Sequence, residues 1–148
     1  MVSAMAHTFQ VTFDAHAPRK RGRFWAELLG YEEQPPPAGF ATWDEALTAF
    51  GVPEEERRRD SAYAIVDPAG AGPRIFLQQV PEGKSAKNRV HLDVNVAAEL
   101  PHDRRRAKVA EVAERAVELG ATRVREVDDP KGYAMVMLDP EGNEFCLQ

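Results

Sequence analysis

Cysteine is nearly missing from this chain. Cys146 is the only one in 148 residues, which excludes an intrachain disulfide and makes a cytoplasmic setting the expected one. Long apolar runs are missing too. No stretch approaches the roughly 20 residues of a membrane span, and residues 1–6 are too short and too uncharged for a signal peptide, so no membrane partner is expected. Positive charge is scarce: 19 Lys and Arg stand against 24 Asp and Glu, a net charge of −5. Nucleic acid is therefore excluded as an expected partner, because binding phosphates needs a concentrated positive surface. The two Arg clusters do not change this. Glu54-Glu-Glu-Arg-Arg-Arg-Asp60 neutralises itself and Asp103-Arg-Arg-Arg106 opens a helix, so both read as solvated surface.

What the chain does have is a segment used twice. Tyr63-Ala-Ile-Val-Asp67-Pro68-Ala-Gly70, followed by Ile75-Phe-Leu-Gln78, returns as Tyr133-Ala-Met-Val-Met-Leu-Asp139-Pro140-Glu-Gly142, followed by Phe145-Cys-Leu-Gln148. Each copy reads as strand, turn and strand, because Pro fixes φ in an Asp-Pro-x-Gly turn and Gly accepts the positive φ that closes it. A strand and an amphipathic helix precede each hairpin, giving a β-α-β-β-β unit written twice. The expected fold is α+β: two paired units forming a curved mixed eight-stranded sheet around a central pocket, with the helices outside. One domain over 1–148 is expected, with a first unit at about 8–80 and a second at about 88–148.

The first strand is expected over Thr8 to Asp14, with Phe9, Val11 and Phe13 alternating with polar residues. A helix follows from Pro18 to Leu29 and stops at Gly30. Residues 39–60 have no counterpart in the second half and read as an inserted flap at the pocket rim, with a short helix over Asp44 to Phe50. The fifth strand is expected over Arg89 to Val96, with Val90, Leu92, Val94 and Val96 on one face and His91, Asp93 and Asn95 on the other. A helix ending at Gly120 and strands near Thr122–Glu126, Tyr133–Leu138 and Glu144–Leu147 complete the chain. If Val11, Leu92, Ile75, Leu77 and Leu147 face the helices, then Gln10, Thr12, Arg74, Phe76, Gln78, His91, Asp93, Cys146 and Gln148 face the other way. A face this polar costs roughly 1–3 kcal/mol per unpaired group to bury dry, so it is expected to hold water or a ligand.

Three segments resemble the glyoxalase-like branch of the vicinal oxygen chelate superfamily. They are Phe24-Trp-Ala-Glu-Leu-Leu-Gly30-Tyr31, Lys87-Asn-Arg-Val-His91-Leu-Asp93-Val and Asp139-Pro-Glu-Gly-Asn-Glu-Phe-Cys146, and the likeness runs from about Thr8 onward. That superfamily also holds glyoxalase I, extradiol dioxygenases, fosfomycin-resistance enzymes and bleomycin-binding proteins. The resemblance implies a small-molecule ligand or substrate, a homodimer and, where a metal is used, one ligand from the first and last strand of each unit. Those positions fall on His91, on Gln10 (Thr8 in another register), on Gln78 or Phe76, and on Cys146 where the family has Glu. Glu144 shares the face of Cys146 but lies two residues too early.

The ligand set Gln10, Gln78, His91 and Cys146 offers one imidazole, two neutral amides and one thiol. It suits Zn or Ni better than Mg, Mn or Fe, because carboxylates are what hold a hard cation. Three functions follow. One is a lyase, isomerase or transferase of glyoxalase type, with a divalent metal around His91. Another is a binding protein in the style of bleomycin resistance, sequestering a small molecule against Phe76, Met135, Met137 and Trp43. The third is a metal-independent enzyme with His91 and Asp93 as acid/base groups; Cys146 with His91 as a thiolate–imidazolium pair is a further catalytic arrangement. Lys87, Asn88 and Arg89 are expected to pin the linker between the units.

Overall fold

The computed structural model describes residues 5–57 and 60–148. Arg58 and Arg59 of the first Arg cluster, and residues 1–4, lie outside the described residues. The chain divides into two compact units, residues 5–26 with 30–81 and residues 27–29 with 82–148.

In the first unit β1 (Val11–Ala15), β2 (Glu32–Glu33), β3 (Ala62–Val66) and β4 (Ile75–Gln79) form a four-stranded sheet in the order β1-β4-β3-β2. β1 and β4 run parallel and the other neighbours antiparallel. The second unit repeats the arrangement with β5 (Asp93–Val94), β6 (Thr122–Asp129), β7 (Gly132–Leu138) and β8 (Glu144–Leu147) in the order β5-β8-β7-β6. All eight expected strands are thus present, hydrogen-bonded as two ladders of four.

The duplication extends to individual bonds. In both hairpin turns the Gly amide donates to the Asp carbonyl, Gly70 to Asp67 and Gly142 to Asp139, each at 2.9 Å. Both glycines have positive φ, 69° and 82°, as the turn requires. The Asp67 carboxylate also accepts the amides of Ala69, Ala71 and Gly72, which hold it below the usual carboxylate range. Asp129-Pro-Lys-Gly132 is a third Asp-Pro-x-Gly tetrad, joining β6 to β7. It lets β6 run three residues past the expected end at Glu126.

Helix α1 (Pro18–Leu29) begins at Pro18 and ends where Gly30 takes a left-handed φ of 70°. Trp25 meets Phe13 at 5.4 Å between ring centroids, placing α1 on the Phe13 face of the sheet. Gly22 permits that approach, since a Cβ there would lie 2.2 Å from the Tyr63 ring. Tyr63, Ile65, Ile75 and Leu77 are buried on this side. In the second unit the buried set is Val109, Ala113 and Ala116 of α3 (His102–Glu118) with Met135, Met137, Phe145 and Leu147 of the sheet.

Two strands are shorter than expected. β1 begins at Val11 and β5 is confined to Asp93–Val94, although Leu92, Val94 and Val96 continue the backbone bonding to β8. Phe9 and Val90 therefore lie before the paired part of their strands, 73% and 81% exposed rather than inward. The flap contains α2 (Trp43–Ala49), one residue ahead of the expected helix. Thr42 caps it by accepting the amide of Glu45 at 3.1 Å.

Candidate functional site

Strand parity sets which residues share the open face of each sheet. In the second unit Asp93 is the register partner of Cys146. His91, two residues earlier, points to the same side, and its Nε2 lies 3.1 Å from Asp93 Oδ1. One donor atom from each of His91, Asp93 and Cys146 lies within 4.8 Å of the others. The His91 and Asp93 side chains are 38% and 47% exposed, so solutes can reach them.

Burial raises the Cys146 thiol above its ordinary value, and the adjacent Asp93 carboxylate, which accepts a hydrogen bond from it, adds to the shift. The expected thiolate–imidazolium pair is therefore opposed by its neighbour: Asp93 stabilises the protonated thiol. A cation would reverse that preference, because metal ligation needs the thiolate.

The donors fit a thiophilic divalent ion. A tetrahedral zinc with bonds of about 2.0–2.3 Å would set its ligand atoms about 3.3–3.8 Å apart, so a pair at the 4.8 Å limit of the cluster would need to close by about 1–1.5 Å. Three protein ligands leave the fourth position open, the pattern of catalytic rather than structural zinc. Asp93 supplies the carboxylate that the expected ligand set lacked. The His-x-Asp spacing at strand period two was the signal for it.

Glu144 does not join the cluster. Its carboxylate accepts the Asn88 amide at 3.0 Å and pairs with Lys84 at 3.2 Å. Those contacts draw its pKa down to about 2, the backbone hydrogen bond leading. They pin the linker through the backbone of Asn88, one of the three residues expected to do so, together with Lys84.

In the first unit the positions that match His91 and Asp93 carry neutral groups. Gln10 Nε2 donates to Thr12 Oγ1 at 3.2 Å, and Gln10 Oε1 accepts from Arg74 Nη1 at 2.7 Å. Gln10 is thus a poor metal ligand, since its oxygen already faces a guanidinium cation. Gln78 Nε2 donates to Asp14 Oδ1 at 2.8 Å. Thr12 and Phe76 are register partners.

Phe76 and Trp43 line a cavity of about 440 Å³ between the flap and the sheet face. The Trp43 Nε1–H donates to the Gln34 carbonyl at 2.9 Å, which fixes the ring at the rim. Met135 and Met137 do not belong to a binding face. They are 4% and 0% exposed and pair across strands with Leu147 and Phe145, so they sit in the second unit's core. Asp14, Arg74 and Gln34 complete the polar face of the first unit; parity pointed to Arg74, whereas the roles of Asp14 and Gln34 show only in their bonds to Gln78 and Arg74.

A family model for a glyoxalase-like domain matches residues 10–148. No curated protein matches the chain. Among solved structures, a glyoxalase/bleomycin resistance protein/dioxygenase family enzyme from Burkholderia phytofirmans PsJN is 16% identical with a TM-score of 0.62, covering 93% of this chain and 94% of that one. The genomically encoded fosfomycin resistance protein FosX of Listeria monocytogenes is 14% identical with a TM-score of 0.62, over 97% and 93% of the two chains. A glyoxalase-related enzyme from Fulvimarina pelagi is 17% identical with a TM-score of 0.59, over 97% and 87%. At these identities the likeness establishes the fold.

Proposed function

The chain belongs to the glyoxalase-like domain family of the vicinal oxygen chelate superfamily, and on that premise we propose that it binds a small molecule at the His91–Asp93–Cys146 cluster and acts on it as a lyase or isomerase. The observation that carries this reading is the convergence of an imidazole, a carboxylate and a thiol within 4.8 Å on a solvent-reachable sheet face. These are the residues that would hold a zinc-class cation, and such an ion supplies Lewis acidity toward a substrate oxygen. Asp93, 3.1 Å from the His91 ring, adds the negative charge that favours a cation. Cys146 gives up its proton on ligation, which makes binding pH-dependent.

The His91 ring and the Asp93 carboxylate are already in contact, Nε2 to Oδ1 at 3.1 Å. That supports a second reading, in which the pair anchors a ligand or moves its proton while the protein sequesters or converts it without metal. Homodimerisation is part of the proposal. Phe9 and Val90, 73% and 81% exposed ahead of β1 and β5, support self-association. A cytoplasmic location is proposed from the single cysteine. No helix among the described residues is long and apolar enough to cross a membrane.

Calorimetric titration of Zn, Ni, Mn and Fe(II) into the wild type and His91→Ala tests the reading. Stoichiometric zinc or nickel binding that the variant loses is the expected result. No binding of any of the four ions removes the metal-dependent form and leaves the second reading.

A further inference from the structure

The flap cavity of the first unit lies apart in sequence from the His91 cluster and has its own chemistry. Trp43, Leu47 and Val52 of the flap and Ala64 and Phe76 of the sheet supply apolar wall. Its volume, about 440 Å³, falls within the range of small-molecule pockets, about 300–1,000 Å³.

The charges lining it do not cancel pair by pair. Arg19 lies 3.8 Å from Glu33, and Arg57 lies 3.1 Å from Asp44. Arg74 has no carboxylate partner among the described residues. It is held by neutral amides: its Nε donates to Gln34 Oε1 and its Nη1 to Gln10 Oε1, both at 2.7 Å, and the guanidinium stacks 5.2 Å from the Phe76 ring centroid. Such a frame fixes the guanidinium in one orientation and leaves Nη2 and the second Nη1 hydrogen without an acceptor among the described residues. A half-buried cation held without a counter-ion among the described residues, in a cavity lined by two aromatic rings, is suited to a planar ligand carrying one oxyanion.

We propose that this cavity binds an aromatic carboxylate, with the carboxylate on Arg74 and the ring against Phe76 and Trp43. A monoanion fits better than a phosphate dianion, because only one guanidinium is uncompensated and the Glu56 carboxylate also lines the cavity. Gln10 and Gln34 act as positioning residues for Arg74. The proposal is independent of the metal-dependent function, since every group it uses lies in the first unit.

The test is calorimetry with 2-naphthoate and its uncharged analogue 2-naphthamide, with a chelator present so that no metal contributes. The wild type should bind naphthoate about ten- to a hundredfold more tightly than naphthamide, the range expected for hydrogen bonds to an ionised group. Arg74→Gln should abolish that preference while leaving naphthamide affinity within about twofold. Glu56→Gln, on an exposed position, should strengthen naphthoate binding alone, and it provides a test should Arg74→Gln fail to fold. Naphthyl phosphate should bind more weakly than naphthoate. Equal affinity for naphthoate and naphthamide, no binding of naphthoate, or a preference unchanged in Arg74→Gln would overturn the proposal.

Discussion

The two units carry the same constellation in two chemistries. Register pairs Thr12 with Phe76 in the first sheet and Asp93 with Cys146 in the second, so Gln10 matches His91, Thr12 matches Asp93 and Phe76 matches Cys146. The side-chain bonds match as well. Gln10–Thr12 at 3.2 Å stands where His91–Asp93 stands at 3.1 Å, and Gln78–Asp14 at 2.8 Å stands where Gln148–Asn95 stands at 2.9 Å. Titratable groups fill the pair in the second unit and neutral ones fill it in the first. Two residues before Phe76 and Cys146 the contrast is in charge: Arg74 is held by amides, whereas Glu144 is paired with Lys84.

The connections differ in the same sense. Residues 34–61 join β2 to β3, whereas Pro130 and Lys131 alone join β6 to β7. The longer connection covers part of the first sheet's face with Trp43 and Leu47 and so creates a cavity there. Backbone geometry common to both units thus carries a lined cavity on one sheet and an ionisable cluster on the other.

Four comparisons break or sharpen that contrast. The largest effect is expected from residues of opposite parity on the matched strands β8 and β4. Phe145→Ala removes a fully buried ring and should cost about 3–5 kcal/mol in urea denaturation. Phe76→Ala, on the half-buried open face, should cost about 1 kcal/mol. Next is acid stability. The Glu144 carboxyl is drawn from 4.5 down to about 2, so its contribution is fully present above about pH 4.5 and is lost as pH falls through 2. Glu144→Gln should flatten the denaturation midpoint across that window, while Arg74→Gln in the other unit should leave the slope unchanged.

Installing the ionisable pair in the first unit, as Gln10→His with Thr12→Asp, should add a titrating histidine visible by NMR. It should add no zinc stoichiometry in calorimetry, because Phe76 stands where the thiol would be. The smallest effect is expected for Gln78→Ala and Gln148→Ala, whose matching exposed hydrogen bonds are each worth about 0.5–1 kcal/mol. Near-equal losses in denaturation would show that the two units are equivalent outside the cluster.

Much of this contrast was legible in the sequence because its signals are local. The repeated Asp-Pro-x-Gly turns and the strand alternation gave both ladders and placed His91, Asp93 and Cys146 on one face. Alternation misled where pairing stops: Phe9 and Val90 keep the apolar parity but precede the bonded parts of β1 and β5. Met135 and Met137 were misplaced because their face follows from their antiparallel register with Phe145 and Leu147, and register is not a local property. The frame around Arg74 was hidden for the same reason, since Gln34 and Gln10 lie 40 and 64 residues away in sequence.

Cobalt(II) titration followed by absorption spectroscopy tests most directly the claim that the second unit carries the chemistry. The account predicts one bound ion per chain with sulfur-to-cobalt charge-transfer absorption, lost in Cys146→Ser, weakened in Asp93→Asn and retained in Gln10→Ala. Absorption that survives Cys146→Ser, or disappears in Gln10→Ala, would contradict it, as would a wild type that shows no such band.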